Sequence, residues 1–515
     1  MSLFPFPLRL TTTLATAILG MVREDPHEFT RKVRERVRLA NVPVISPALN
    51  RRAPKTAKLS AQHQLIKEGR LSDAVSYRGP GRSDFLAKRT QETLDQLVAP
   101  IEEGIRHAGI ASGRQPRVLF FLNNSVPHTH SGYTERTHNL LTALRDQGVS
   151  VHAVTRLGYP LLVGKLPHRP IELIDGIPYE RLIPGKYSPS YKRRETETIR
   201  QLVDAARRFH PDILHTTTDY HNAIVVSRAA HILDIPWIYE VRGELESTWL
   251  SRFPEGKQAQ AVTSEFYQLA HAQETQAMRK ASAVISLSEV SKKEMIKRGV
   301  DAAKIHVVPN AVDEKLIGKK YDQDKIRKAL GLPHTTIIGT VTSVVGYEGL
   351  DDLIRATALL PDVTCLIVGD GAARPELEKL TKDLHLTDRV IFAGRQPSAT
   401  IWKWYAALDV FVVPRKDTPV TCIVTPIKAL IAQALGKPVV ASDLPALREV
   451  TGNLATYSVP SSPQDLARAL RLSAKVPISN QTDFAKSRTW STIANAQNET
   501  IRSIILNRLS THNET

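Results

Sequence analysis

An α/β architecture of two similar units, each a parallel sheet covered by helices, is what this sequence predicts, and three observations carry the prediction. Asp409-Val410-Phe411-Val412-Val413 is a β-branched run stopped by Pro414, and Lys437-Pro438-Val439-Val440-Ala441 is a second run introduced by Gly436, with a helix from about Pro426 to Leu435 between them. Arg117 to Val154 repeats that order, opening on the fully apolar Val118-Leu119-Phe120-Phe121-Leu122. Short apolar runs separated by helical periodicity mark strands covered on both faces by crossover helices. The length of 515 residues also exceeds what one core supports, about 250–300 residues.

Hydrophobic residues make up 42% and charged residues 23%, as in ordinary globular proteins. The balance of 69 Lys and Arg against 52 Asp and Glu is not ordinary, and leaves a net charge of +17. Such an excess favours an anionic partner: nucleic acid, an anionic membrane surface or an anionic substrate. No zinc spacing, helix-turn-helix signature or aromatic-interleaved basic motif accompanies it, which argues against nucleic acid and leaves a membrane surface as the favoured counter-charge. The two cysteines, Cys365 and Cys422, have no paired spacing, so a reducing compartment is expected.

In chain order, Leu10 to Val22 is apolar but shorter than the ~20 residues that span a bilayer. One basic residue precedes it and no clean cleavage site follows, a poor match to a signal peptide. The basic stretch from Arg31 to Arg38, with Arg51, Arg52, Lys55 and Lys58 beyond it, suits either an anionic leaflet or a solvated helix face. Residues 1–112 read as a helical, partly loose extension.

The first α/β unit follows. After the opening strand comes the polar loop Asn123 to Ser131, then Gly132 where strand turns into helix, then Leu140, Leu141 and Leu144 on one helical face. A glycine there lets a phosphate or sugar approach the backbone, or merely makes the turn. Pro211 to His215 and Ile235 to Gly243 are further strands with polar exits. Arg242 and Glu244 suit either a sugar or phosphate contact or an ion pair tying two loops. His215, His221 and His138 stand at no metal-ligand spacing, so no metal site is expected. Pro309-Asn310 and the charged run Glu314 to Arg327 mark the passage into the second unit.

The second unit opens with Ile337 to Val341, the loop Thr342 to Gly349 and a helix from Leu350; Cys365 to Gly371 and Val390 to Arg395 are strands running into turns. In open parallel sheets ligands bind outside the carboxyl ends of the strands, so the loop Arg415 to Thr425 should face a crevice. Arg415, Lys416 and Thr421, with Thr425 and Lys428 at the helix start, suit an anion.

These segments resemble family 4 retaining glycosyltransferases of the GT-B fold, specifically a bacterial subgroup. The matching motifs are Ser131-Gly132-Tyr133 with Arg136-Thr137-His138, Thr155 to Pro160, Tyr239 to Gly243, Ser286 to Glu289 and Lys304 to Asp313 in the first half. In the second half they are Tyr347 to Asp351, Val368 to Gly371, Phe392 to Arg395, Pro414-Arg415, Val424 to Lys428, Gly436 to Asp443 and Arg448-Glu449. The resemblance covers about Arg117 to the C-terminus. It implies two Rossmann-like domains facing a cleft behind a helical N-terminal extension: acceptor domain 113–316, donor domain 317–478, and a closing helix 479–515 that packs back across the interface.

The implied reaction is transfer of a sugar from a UDP- or GDP-linked nucleotide sugar to an acceptor hydroxyl, with retained configuration, no metal and no further cofactor. A glycan or lipid-linked acceptor of the cell envelope is implied, at a cytoplasmic location peripheral to the inner face of the plasma membrane. On this resemblance Arg415 and Lys428 stabilise the diphosphate leaving group and His215 touches substrate. Gly132, Arg242, Gly371, Arg395, Thr425 and Pro426 contact donor or sugar. The sequence departs from the pattern where the paired glutamates would fall, at Ile423 and Ile431, and where a diphosphate clamp would stand, at Ser343 and Glu348. Isoleucine accepts no hydrogen bond, so a catalytically degenerate scaffold that partners an active glycosyltransferase is the alternative reading.

Overall fold

The computed structural model describes residues 6–24, 60–105, 114–473 and 478–506, so the basic stretch from Arg31 to Arg38 and Arg51, Arg52, Lys55 and Lys58 lie outside the described residues. Two sheets organise it. The first runs β1 (Arg117–Leu122), β2 (Ser150–Thr155), β3 (Ile171–Ile174), β4 (Ile177–Arg181), β5 (Ile213–Thr217), β6 (Trp237–Val241), β7 (Ala283–Ser286) and β8 (Ile305–Val307) along the chain, and β3-β4-β2-β1-β5-β6-β7-β8 in space. The second comprises β9 (Thr336–Val341), β10 (Val363–Val368), β11 (Val390–Gly394), β12 (Val410–Val413), β13 (Val439–Ser442) and β14 (Thr456–Ser458), ordered β11-β10-β9-β12-β13-β14.

In each sheet the strand order reverses at its first strand, β1 against β5 and β9 against β12, with parallel registers such as Phe120 to His215 and Phe411 to Gly339. Crevices open at such reversals, beyond the carboxyl ends. Period-two alternation fills both faces of each sheet. Leu119 and Phe121 pack on one side of the first and Val118, Phe120 and Leu122 on the other; in the second, Leu366 and Val368 face away from Cys365 and Ile367. Cys365 is therefore the strand-core residue expected, and burial pushes its thiol up to about 12.

Two local features were not legible as read. Residues 171–181 form the sheet's antiparallel edge hairpin, turned by Asp175 and Gly176 at φ 47° and 78°; Asp-Gly between apolar runs is the signature of such a turn. The loop after β12 also contains a short helix, Pro419–Ile423, because Thr418 and Thr421 form a reciprocal capping box and Pro419 is preset for the first turn. Thr421 is spent on that cap: its hydroxyl donates to the Lys416 carbonyl at 2.6 Å. It is therefore not available to an anion.

Residues 60–105 share the first domain's core, where Leu71, Leu97 and Ile101 pack with Leu119 and Phe121. Glu92 accepts from the Ser190 hydroxyl and the Tyr191 N–H, both at 2.7 Å, fixing the start of the helix Tyr191–Phe209. The helix Phe6–Glu24 is seated on the same domain by Thr13, which donates to the Pro184 carbonyl, and by Thr16, which accepts from the Tyr187 N–H at 2.9 Å. Among the described residues no helix is long and apolar enough to cross a membrane. The closing helix Trp490–Leu506 leaves the second domain and buries Trp490, Ile493, Ala494, Ile501 and Ile505 in the first domain's core.

Candidate functional site

At the carboxyl ends of β1, β5 and β6 lies a cavity of about 270 Å³, lined by Asn123, Asn124, Tyr133, Thr217, Thr218, Asp219 and Arg242 among others. One wall is the start of the helix Gly132–Asp146, where Ser131 and Thr134 form a capping box that fixes the entry of the chain. Gly132 begins that helix with nothing within 4 Å of where a Cβ would stand, so space does not demand a glycine there.

Behind the wall is a buried ionic network centred on Glu240, which is fully buried at the end of β6. Arg242 Nη2 donates to Glu240 Oε2 at 2.7 Å and Arg136 Nε to Oε1 at 2.9 Å. Burial alone would raise the Glu240 carboxyl, but Arg242 and Arg136 hold it well below the usual carboxylate range. Arg136 also donates to the carbonyls of Val308 and Pro309, both at 2.7 Å, so the network extends to the chain's exit from the domain. Arg242 reaches the Thr137 hydroxyl at 2.6 Å and the Tyr133 carbonyl at 3.0 Å. Its Nε is buried with no partner among the described residues, while other atoms of the side chain line the cavity. The ion pair foreseen for Arg242 is thus made with Glu240 and not with Glu244, which sits 3.7 Å from Arg298.

His215 is not at the cavity. It is fully buried, stacks on Phe120 at a centroid separation of 4.4 Å, and lies 3.1 Å from Glu240 Oε2 and 3.5 Å from the closing helix's Gln497. The physical reason is depth along the strand: His215 lies in the middle of β5, on the face that the closing helix covers, while Thr217 and Thr218, at and just beyond its carboxyl end, reach the cavity. Burial pushes the His215 imidazole down, so it acts as a neutral core histidine, a correction to its expected contact with substrate.

In the second domain the structure brings Arg415 and Lys428 together, on one carboxylate. Arg415 follows β12 and Lys428 lies in the first turn of the helix Ile427–Ala434. Arg415 Nη2 donates to Glu348 Oε1 at 3.0 Å, Lys428 Nζ donates to Glu348 Oε2, and Lys428 also reaches the Thr342 hydroxyl at 2.7 Å. Burial would raise the Glu348 carboxyl, but Lys428 and Arg415 hold it down at about 2. Burial lowers the Lys428 ammonium to about 8, against the pull of Glu348. Both groups are ionised at neutral pH, and the trio carries a net single positive charge. Gly349, at φ 67°, makes this assembly possible, because a Cβ there would collide with the Pro414 carbonyl oxygen.

Thr425 has a buried hydroxyl with no partner among the described residues, and its carbonyl accepts from Asn310 Nδ2 at 3.0 Å across the domain boundary. Pro426 starts the following helix with no side-chain cap, leaving the first-turn N–H groups to other acceptors. Gly371 allows its turn to pack against the Val344 carbonyl, which a Cβ would strike. Arg395 is exposed beyond β11, apart from the trio. Ile423, Val424 and Thr425 face Arg242, Gly243 and Glu244 across a narrow cleft between the domains. Ile431 packs against the second domain's core. Glu449 carries a role the sequence did not suggest: its two carboxylate oxygens accept the N–H groups of Glu289 and Val290, at 2.6 and 2.9 Å, at the start of the first domain's helix Glu289–Lys297.

Residues 131–311 match the glycosyl transferase 4-like domain and residues 334–473 match the glycosyl transferases group 1 domain. The chain is 25% identical over 304 residues to the 2-deoxystreptamine glucosyltransferase of Streptomyces kanamyceticus, covering 57% of this chain and 76% of that protein. Over 176 residues it is 32% identical to the D-inositol 3-phosphate glycosyltransferase of Mycobacterium sp. (strain JLS), covering 33% of this chain and 39% of that one. Over 157 residues it is 32% identical to the lipopolysaccharide core biosynthesis mannosyltransferase LpsB of Rhizobium meliloti (strain 1021), covering 28% and 43%. The last two matches thus span under half of those relatives.

Among solved structures, sucrose-phosphate synthase from Thermosynechococcus elongatus superposes with a TM-score of 0.61 at 21% identity, over 76% of this chain and 99% of that one. Anabaena HepE in complex with UDP gives 0.59 at 22% identity, over 75% and 100%. At this identity the likeness concerns the fold, which is GT-B.

Proposed function

We propose that this chain, a glycosyltransferase of the GT-B fold, moves a sugar from a UDP- or GDP-linked donor to an acceptor hydroxyl with retention of configuration and without a metal. One observation carries the reading of the donor site. The unpartnered Thr425 hydroxyl, the uncapped start of the helix Ile427–Ala434 and the cations Arg415 and Lys428 converge beyond β12, beside a cleft whose other wall is Arg242. Free backbone N–H groups at a helix start and fixed cations are what a diphosphate needs.

In this reading Arg415 and Lys428 hold the negative charge that builds on the leaving diphosphate. Donors fixed before the reaction cost no reorganisation when charge develops, and such electrostatic stabilisation is usually the largest catalytic term. Glu348 keeps the two cations in place and lowers their net charge. The acceptor enters from the first domain's cavity, toward the face of the sugar from which the diphosphate departs. A cell-envelope acceptor is favoured by the likeness to the Rhizobium meliloti enzyme and by the net charge of +17, which suits work beside an anionic cytoplasmic membrane face.

One observation favours a second reading. Ile423 and Ile431 leave no carboxylate in the donor segment 419–434, so a scaffold that binds and does not turn over remains the rival. The test is release of nucleoside diphosphate from a panel of UDP- and GDP-sugars with simple sugar acceptors. Turnover that depends on Lys428 supports the enzyme. Nucleotide binding without turnover across the panel supports the scaffold.

A further inference from the structure

The lining of the first-domain cavity includes two carboxylates, Asp219 and Glu244. Glu244 is engaged by the Ser247 hydroxyl at 2.6 Å. Asp219 is half-used. Its Oδ1 accepts the His221 N–H at 3.1 Å and faces His221 Nδ1 at 2.8 Å, while no hydrogen bond reaches Oδ2 from the described residues. The His221 ring is itself fixed by stacking on Tyr220 at a centroid separation of 4.0 Å, and the Tyr220 N–H is held by Glu274 at 2.7 Å. Asp219 therefore enters the cavity as an oriented carboxylate with one oxygen to spare.

Asn123, Asn124, Ser131, Thr217, Thr218 and Arg242 share the lining with it. This lining sets hydrogen-bond acceptors and donors beside the apolar Leu122, Tyr133 and Leu245, the mix that a sugar or cyclitol ring, with polar edges and apolar C–H faces, would meet. A volume of about 270 Å³ lies at the lower edge of the ~300–1,000 Å³ of small-molecule pockets. We propose that Asp219, oriented by His221, is a specificity-determining residue that takes the hydroxyl hydrogens of a ring-sized polyol, a saccharide or a cyclitol, as the acceptor in this cavity. The proposal rests on the transferase reading for the word acceptor alone; the binding of a polyol stands or falls separately.

The test is direct binding of two probes, myo-inositol and glucose, followed by saturation-transfer NMR on the full chain, for the wild type, Asp219→Asn and His221→Phe. Asparagine keeps the helix cap, and phenylalanine keeps the stacking while removing Nδ1, so both variants should fold. The expected result is binding of one probe by the wild type, weakened roughly tenfold or more in Asp219→Asn, as loss of a charge-assisted hydrogen bond requires, and weakened less in His221→Phe. Where turnover is measurable, the acceptor KM rises in Asp219→Asn more than kcat falls. An affinity in Asp219→Asn within twofold of the wild type, or no response to either polyol, overturns the proposal. The transferase reading is judged apart, by whether any nucleoside diphosphate raises the wild-type unfolding midpoint.

Discussion

Lys428 donates to Glu348 in a site where both side chains are almost wholly buried, and Arg415 completes the pair from the other carboxylate oxygen. Three residues from three separate segments are thereby locked at the carboxyl end of the second sheet. Breaking such a pair by removing one partner leaves a buried charge, and costs ~3–5 kcal/mol when nothing compensates. Arg415 still compensates here, so Lys428→Met should lose about 1–3 kcal/mol. Urea unfolding measures that loss, and initial rates should fall more than tenfold while the circular dichroism stays that of the wild type.

Glu348 makes the acid limb of stability predictable. Its folded carboxyl titrates at about 2 against an ordinary 4.5, so between those values the unfolded chain binds the extra proton and stability falls as pH falls. The shift corresponds to about 3 kcal/mol at ~1.4 kcal/mol per unit. Lys428, lowered to about 8, does not titrate in that window. Glu348→Gln should flatten the decline between pH 4.5 and 2, followed as the unfolding midpoint against pH.

Glu274 has the opposite sign. Burial, then Glu246 and Asp219, push its carboxyl up from 4.5 to about 8, while it accepts from Tyr220 N–H and the Tyr239 hydroxyl. The folded state binds the extra proton in that range, so stability is lost as pH rises through it. Glu274→Gln mimics the protonated acid. It should raise stability at pH 8 by about 1–3 kcal/mol and change little at pH 5. Equal effects at both pH values would show that the carboxyl is ionised throughout.

Glu449 ties the domains by capping a helix of its neighbour. Glu449→Ala should cost about 1 kcal/mol, the size of a lost N-terminal cap. Hydrogen exchange should speed at Glu289 and Val290 and not in the second domain's own strands.

Much of this was legible in the residues. β-branched runs, glycines at turns and the order of loops specify the two parallel sheets, because both depend on local sequence alone. Arg415 and Lys428 were legible as cations at a strand end and a helix start. That Glu348 sits between them was not, since their contact joins positions 348, 415 and 428 through the packing of three segments distant in sequence. His215 misled because its strand exit is polar, yet the face it occupies is decided by a helix nearly 300 residues later in the chain. The hairpin turn at Asp175-Gly176 and the cap at Thr418 carried readable signals that the broader strand pattern overshadowed.

The site built on Arg415, Lys428 and Thr425 should receive a nucleoside diphosphate. Thermal unfolding of the wild type and Lys428→Met against UDP, GDP, ADP and their glucose or mannose conjugates tests it most directly. A ligand at a hundred times its Kd adds ~2.7 kcal/mol of stability. One base should raise the wild-type midpoint by several degrees, and Lys428→Met should lose most of that rise. No rise with any nucleotide, or an equal rise in both proteins, would contradict the claim.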